Sequence, residues 1–268
     1  LTGPGSGAAV FARRGARTIL RAARASSPLH LLTPRNHGHG AWITAATFGG
    51  GLVDGDALRL DLDLEVGAAG LVGTQASTKV YRCPRGACRQ DVRARVADGA
   101  ILVIVPDPVA CFAGARYEQS SAVDLAPTGS LVLLDTFTAG RSGRGERWDF
   151  QRCAARTAIT RAGALVLHDA LVLDPAQGDL RARMGRFDAI ATLVLAGPRT
   201  ASMRDAALAA QSPIRRAAPL VEAASPVGDD AAVVRIAGTT VEAVTAAARA
   251  RLAGLADLLG DDPFARKW

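Results

Sequence analysis

From Leu58 to Val66 the chain alternates without interruption: Leu58, Leu60, Leu62, Leu64 and Val66 interleave with Arg59, Asp61, Asp63 and Glu65. A period of two puts every apolar side chain on one face of an extended strand and every charge on the other. One face must be covered and the other wetted. Weaker alternation returns at Val92, Ala94 and Val96 against Asp91, Arg93 and Arg95, and again at Val123 and Leu125. Each of these strands runs through a turn into a second apolar strand. Gly67-Ala68 leads to Leu71-Val72, Gly99-Ala100 to Ile101-Leu102-Val103, Gly129-Ser130 to Leu131-Val132-Leu133, and Gly163-Ala164 to Leu165-Val166-Leu167. The four glycines fall 32, 30 and 34 residues apart. A glycine at a constant place between two strands supplies the positive φ of a tight hairpin turn. The pattern predicts a mainly β fold of repeated β-hairpin layers, stacked into a superhelical, solenoid-like body. An irregular sandwich with coincidental spacing is the competing reading.

After about Pro198 the composition turns Ala-rich and the period changes. Val241, Val244, Ala248, Leu252, Leu255 and Leu259 follow helical spacing, with Thr239 or Thr240 as N-cap and Gly260 as stop. A shorter helix is expected over Ser202–Ala210, before Pro213. The expected organisation is one domain over 1–268, with a β body over about 8–198 and a helical, Ala-rich part over about 199–262 that packs on it.

Composition closes off several classes. With 49% hydrophobic and 21% charged residues the chain is neither disordered nor collagen-like. Its apolar runs, such as Ala100 to Val105, are far short of the roughly 20 residues that cross a bilayer, so no membrane span is expected. The net charge is +7, and no Asp or Glu precedes Asp54, whereas Arg13, Arg14, Arg17, Arg21, Arg24 and Arg35 all do. That distribution reads as a basic, solubilising edge, or as a patch that meets an acidic protein partner, rather than as a nucleic-acid groove. Cys83, Cys88, Cys111 and Cys153 are too sparse for a secreted disulfide scaffold, so reduced thiols and a cytoplasmic location are expected. Arg13-Arg14 is not read as a twin-arginine export signal, because Arg17, Arg21 and Arg24 interrupt any apolar segment after it. The chain opens on Leu1 rather than Met, so its native start is expected upstream.

Few motifs carry chemistry. The run Phe48-Gly49-Gly50-Gly51-Leu52-Val53-Asp54-Gly55-Asp56 is no phosphate loop, since no Gly-Lys-Ser/Thr follows and the next element is a strand. It lacks the later ligands of an EF-hand, and reads as a glycine-rich turn that presents Asp56 at a strand start. Cys83 and Cys88 have no second cysteine pair or histidine cluster to complete a zinc site. His37-Gly38-His39 offers imidazoles of the kind that suit nickel, copper or zinc, or simply two exposed side chains. No nucleophile elbow is present.

Several longer motifs, in a fixed order, resemble the urease accessory protein D family (UreD, called UreH in some bacteria). They are Ser27-Pro28-Leu29-His30, Gly49-Gly50-Gly51-Leu52-Val53-x-Gly55-Asp56-x-Leu58, Thr74-Gln75-Ala76-x-Thr78-Lys79-Val80-Tyr81-Arg82, Phe112-x-Gly114-Ala115-Arg116-Tyr117 and Gly140-Arg141-x-x-x-Gly145-Glu146. The resemblance covers about Thr18 to Leu173, with departures at Gly73-Thr74, at Val105-Pro106-Asp107 and at Ala46-Thr47. It implies a β superhelical, non-enzymatic protein that binds apo-urease and the accessory proteins UreF and UreG, and that assists insertion of nickel into urease. No tightly bound cofactor is implied, only transient Ni2+.

An ion that must be captured and also released calls for weak, replaceable oxygen ligands and water rather than a thiolate cage. By motif position Asp56 and Asp135 are the first candidates to line a nickel path, then Glu118 and Glu146, with Thr78 and Lys79 as lining or gating groups and His168-Asp169 on a later strand. Even spacing places Asp56 on the inward face of Leu58 to Val66, and Asp135 faces inward if it shares the side of Leu131 and Leu133. The alternative for each is an ordinary salt bridge or turn. Two other functions compete: a secreted β-solenoid polysaccharide lyase, in which Lys79 or Arg141 takes a proton beside Asp135, and a passive scaffold that conducts no nickel.

Overall fold

The computed structural model describes residues 3–210 and 213–265. Seventeen strands dominate them, with four short α-helices. The body contains β1 (Ser6–Arg14), β2 (Arg17–Ala25), β3 (Leu29–Leu32), β4 (Ala41–Thr47), β5 (Ala57–Leu64), β6 (Ala69–Thr74), β7 (Thr78–Val80), β8 (Cys88–Val96), β9 (Ile101–Ile104), β10 (Val109–Cys111), β11 (Arg116–Leu125), β12 (Ser130–Thr138), β13 (Arg152–Arg161) and β14 (Ala164–Leu173). There follow α1 (Leu180–Met184), β15 (Ala189–Ala196), α2 (Ala201–Ala209), β16 (Leu220–Val227), β17 (Ala231–Gly238), α3 (Val241–Arg251) and α4 (Leu255–Leu259).

The strands form two sheets. One runs β14-β13-β11-β8-β5-β1-β2; the other runs β16-β17-β15-β12-β9-β6-β4-β3, with β7 and β10 attached beside β12. The chain crosses from the first sheet to the second at each glycine corner and returns one layer on. Successive layers are therefore parallel: β5, β8, β11 and β13 in one sheet, β4, β6, β9 and β12 in the other. This is the solenoid-like stack, but its turns are corners between sheets, not hairpins. A corner needs no hydrogen bonds between its own two strands, because each strand pairs with the layers above and below it. Ala97 N donates to Leu64 O and Ala126 N to Val96 O, which ties corner to corner. Gly67 and Gly99 adopt φ of 67° and 66°, as the turn demands. At Gly129 the reason is space: a Cβ there would lie 2.8 Å from Val96 O. Of the four repeated glycines, only Gly163 sits in a true hairpin, where β13 and β14 pair antiparallel. Val66, assigned to the inward set, lies past the end of β5 in the corner and is 69% exposed.

The second sheet is buried on both faces. Leu102, Ile104, Leu131 and Leu133 face the first sheet, while Ile101, Val103, Val132 and Leu134 pack under the C-terminal helices. Continuous apolar runs at these strands follow from that double cover. The Ala-rich tail is not wholly helical: β16 and β17 extend the second sheet beyond residue 198 before the helices begin. Val233, Val234 and Ile236 supply the apolar contacts that an alanine-rich composition concealed. The long C-terminal helix is capped as expected, with Thr240 Oγ1 accepting from Ala243 N and Gly260 left-handed at the end. It breaks into α3 and α4 at Gly254, against which α2 packs Met203, 3.1 Å from where a Cβ would stand.

Candidate functional site

The inward face of the first sheet changes character along its strands. Next to the corner row of Leu64, Val96 and Leu125, one cross-strand row reads Leu62, Ala94, Val123, Ile159 and Leu167. The next row reads Leu60, Val92, Ser121, Thr157 and Asp169, and the one after it Leu58, Gln90, Gln119, Ala155 and Leu171. The facing sheet changes in step. Val72, Ile104, Leu133, Val194 and Val233 form an apolar row; two residues further on, Thr74 lies beside Ala45, and Asp135 beside Thr192, which separates it from Arg235 on the strand beyond. Two polar rows thus meet between the sheets, where unsatisfied polar groups are costly.

They surround a cavity of about 100 Å³, lined among others by Asp135, Gln119, Gln90, Ser121, Thr74 and Thr78. A second cavity of about 180 Å³ shares Thr74, Thr78, Gln90 and Leu58 with it and reaches the exposed residues Gly50, Gln75, Ser77 and Lys79. The two adjoin along that shared wall, and we read them as one passage from the surface to Asp135. Thr78 lies on the wall common to both, and Lys79 at the outer end.

Asp135 is the inner carboxylate. It shares the inward side of Leu131 and Leu133, as the alternation requires. Its Oδ1 accepts from Gln119 Nε2 at 2.6 Å, and Gln119 Oε1 accepts in turn from the buried Tyr117 hydroxyl at 2.9 Å. Burial pushes the Asp135 carboxyl up to about 6; the Gln119 bond works against that rise and the negative charge of Asp169 adds to it. Asp169 is itself held by Arg235, whose Nη1 also donates to Thr192 Oγ1 at 3.2 Å.

The other sequence candidates stand elsewhere. Asp56 is not on the inward face: it precedes β5 and closes a turn, its Oδ2 accepting from Val53 N at 2.8 Å and its own N–H donating to Val53 O. The strand does not extend back that far, because Gly55 turns the chain at φ 85°. Glu118 has the opposite parity to Tyr117 and Gln119, so it points outward, between Arg89 and Arg152. Glu146 pairs with Arg141 and accepts from Ala113 N, which holds its carboxyl below the usual range. His168 is exposed on β14, on the opposite side from Asp169. Of the eight candidates the passage gathers Asp135, Thr78 and Lys79, with Asp169 beside its inner end. The residues missed were Gln119, Gln90 and Ser121; the alternation through Val123 and Leu125, carried back four residues, puts Gln119 and Ser121 inside.

Other sites resolve simply. Arg141, a candidate lyase base, is engaged by Glu146 and lies over the Phe112 ring, and Lys79 and Asp135 lie at opposite ends of the passage. His39 hydrogen-bonds Leu258 O through Nε2. The four cysteines are buried and unpaired by disulfides; Cys83 Sγ lies 3.4 Å from Cys88 Sγ. Burial and the adjacent thiol push Cys88 up to about 12, and Cys111 is raised by its bond to Cys153 and by burial. Both of these thiols stay protonated at neutral pH. Among the described residues no three His, Cys, Asp or Glu side chains are grouped to hold a metal, and no helix is long and apolar enough to cross a membrane.

Comparison with known proteins gives one answer. The sequence matches the UreD urease accessory protein family over residues 4–268. It is 57% identical over 264 residues to a urease accessory protein UreD of Sorangium cellulosum (strain So ce56), covering 98% of this chain and 84% of that one. It is 43% identical over 265 residues to a urease accessory protein UreD of Anaeromyxobacter sp. (strain Fw109-5), covering 98% and 89%. A urease accessory protein D of Oryza sativa subsp. indica is 34% identical over 187 residues, 68% of this chain and 61% of that one. With that match along nearly its whole length, this chain belongs to the UreD urease accessory protein family.

Proposed function

We propose that this chain acts in urease maturation as a non-enzymatic accessory protein of the cytoplasm. It binds apo-urease together with UreF and UreG, and assists insertion of nickel by giving the ion a hydrated path between its two sheets. The observation that carries the path is Asp135, a carboxylate kept inside a polar cavity with a single amide donor and no cation beside it among the described residues. Such a group costs several kcal/mol unless water or a cation meets it. Oxygen and amide linings suit an ion in transit, because they exchange with water and do not close a cage. Nickel is cargo here, with no resident cofactor.

Substituting Asp135 by Ala lowers the nickel content of activated urease while pull-down of UreF and apo-urease stays intact. Full nickel loading by Asp135→Ala makes the chain a scaffold without conduction. Nickel loss in proportion to lost complex makes Asp135 a folding residue. Either result rejects the path.

A further inference from the structure

We infer that Gln119 is a positioning residue for the Asp135 site: it occupies one carboxylate oxygen and leaves the other as a single-oxygen ligand for a hydrated divalent cation. The inference rests on the ion path proposed above. The geometry is a three-part relay. The Tyr117 ring is fully buried and packed beside Phe137, with centroids 6.5 Å apart, so its hydroxyl is a fixed point. That hydroxyl carries one proton for two acceptor oxygens, Gln119 Oε1 at 2.9 Å and Gln90 Oε1 at 2.5 Å, and serves one of them at a time. An ionised carboxylate only accepts, so Gln119 must turn its nitrogen toward Asp135 and its oxygen toward the phenol. The result is Nε2 at 2.6 Å from Asp135 Oδ1. Among the described residues nothing donates to Asp135 Oδ2.

The consequence is chemical. A free carboxylate can chelate a divalent ion through both oxygens, and each added anionic oxygen slows release. With Oδ1 held by an amide, an arriving ion meets one charged oxygen and the neutral oxygens of Ser121, Thr78 and Gln90 around the same cavity. It keeps most of its water and leaves again. Groups one step behind a ligand set metal affinity; an orienting partner more commonly raises it, and here the amide lowers it by occupying an oxygen that the ion would otherwise share. The polar residues of β11 thereby acquire distinct tasks: Tyr117 anchors, Gln119 orients, and the outward-facing Glu118, paired with Arg89 and Arg152, takes no part.

Nickel binding to the purified full-length chain, read by competition with a chromophoric chelator, tests this without urease. Gln119→Leu keeps the bulk and frees Oδ1; it is expected to bind Ni2+ about tenfold more tightly than wild type and to release it more slowly to excess chelator. The gain must vanish in Gln119→Leu/Asp135→Asn. Tyr117→Phe deletes one oxygen and loosens Gln119, giving a smaller gain of the same sign. Thermal melts on each variant separate this from mere destabilisation, which lowers the melting temperature without tightening nickel. Unchanged affinity in both single variants overturns the inference, as does a gain that survives Asp135→Asn; if Gln119→Leu does not fold, Tyr117→Phe alone decides. Failure of the path itself shows differently, as normal nickel delivery to urease by Asp135→Ala.

Discussion

Asp135 sets stability and function against each other. Its carboxyl titrates near 6 in the fold against 3.8 when unperturbed. Between those values the folded chain holds a proton that the unfolded chain has lost, so stability falls as pH rises from about 4 to 6 and is flat above. The gap corresponds to about 3 kcal/mol. Asp135→Asn is therefore expected to be up to about 3 kcal/mol more stable than wild type at pH 7 and about equal at pH 4. Denaturant titrations at the two pH values check it; a less stable variant at pH 7 would mean that Asp135 is paired rather than exposed to a cavity. Glu118 supplies the contrast. It lies on the outer face of the first sheet, half exposed between Arg89 and Arg152. Glu118→Ala is expected to cost less than about 1 kcal/mol and to leave nickel delivery unchanged, measured by melts beside nickel counts.

At the scale of elements, the corners fix the stack and the strands between them divide into apolar and polar segments. Gly129 and Gly163 look alike in the sequence, yet they fail for different reasons. Gly129→Ala drives a Cβ against Val96 O and Ala126 N, in a corner that two layers share. It is expected to cost about 1–3 kcal/mol by overpacking. Gly163→Ala meets no atom within 4 Å and carries only the left-handed penalty at φ 81°, about 1–2 kcal/mol. Urea titration of both variants shows whether their order holds. β11 shows how one alternation serves two ends. Val123 and Leu125 build core, Gln119 and Ser121 on the same face build the cavity wall, and Tyr117 is buried behind Gln119.

For the whole molecule, the helices are a cover and not an appendage. α2, α3 and α4 lie on the outer face of the second sheet, where Leu71, Val103, Leu193, Val234 and Ile236 are buried. Ending the chain after Gly238 removes α3 and α4 and uncovers the part of that face beneath them, and the truncated chain is expected to aggregate, measured by size-exclusion chromatography against the full chain. A monodisperse truncated monomer would show that the sheets stand alone. By itself the sequence determined the β body, the layer spacing, the caps of the last helix and, through its ordered motifs, the family. Those are local or periodic properties, carried by alternation, glycine placement and short runs of residues. Tertiary structure alone decided that the turns are corners between sheets, that the Ala-rich tail adds two strands, and that Asp135 faces a cavity while Asp56 closes a turn. Each depends on which strand lies beside which, and parallel layers about thirty residues apart bring together side chains that no local pattern relates. The polar seam between the sheets exists only in that register: Gln90 and Gln119 are unremarkable in their own strands and become a wall because β8 and β11 align them.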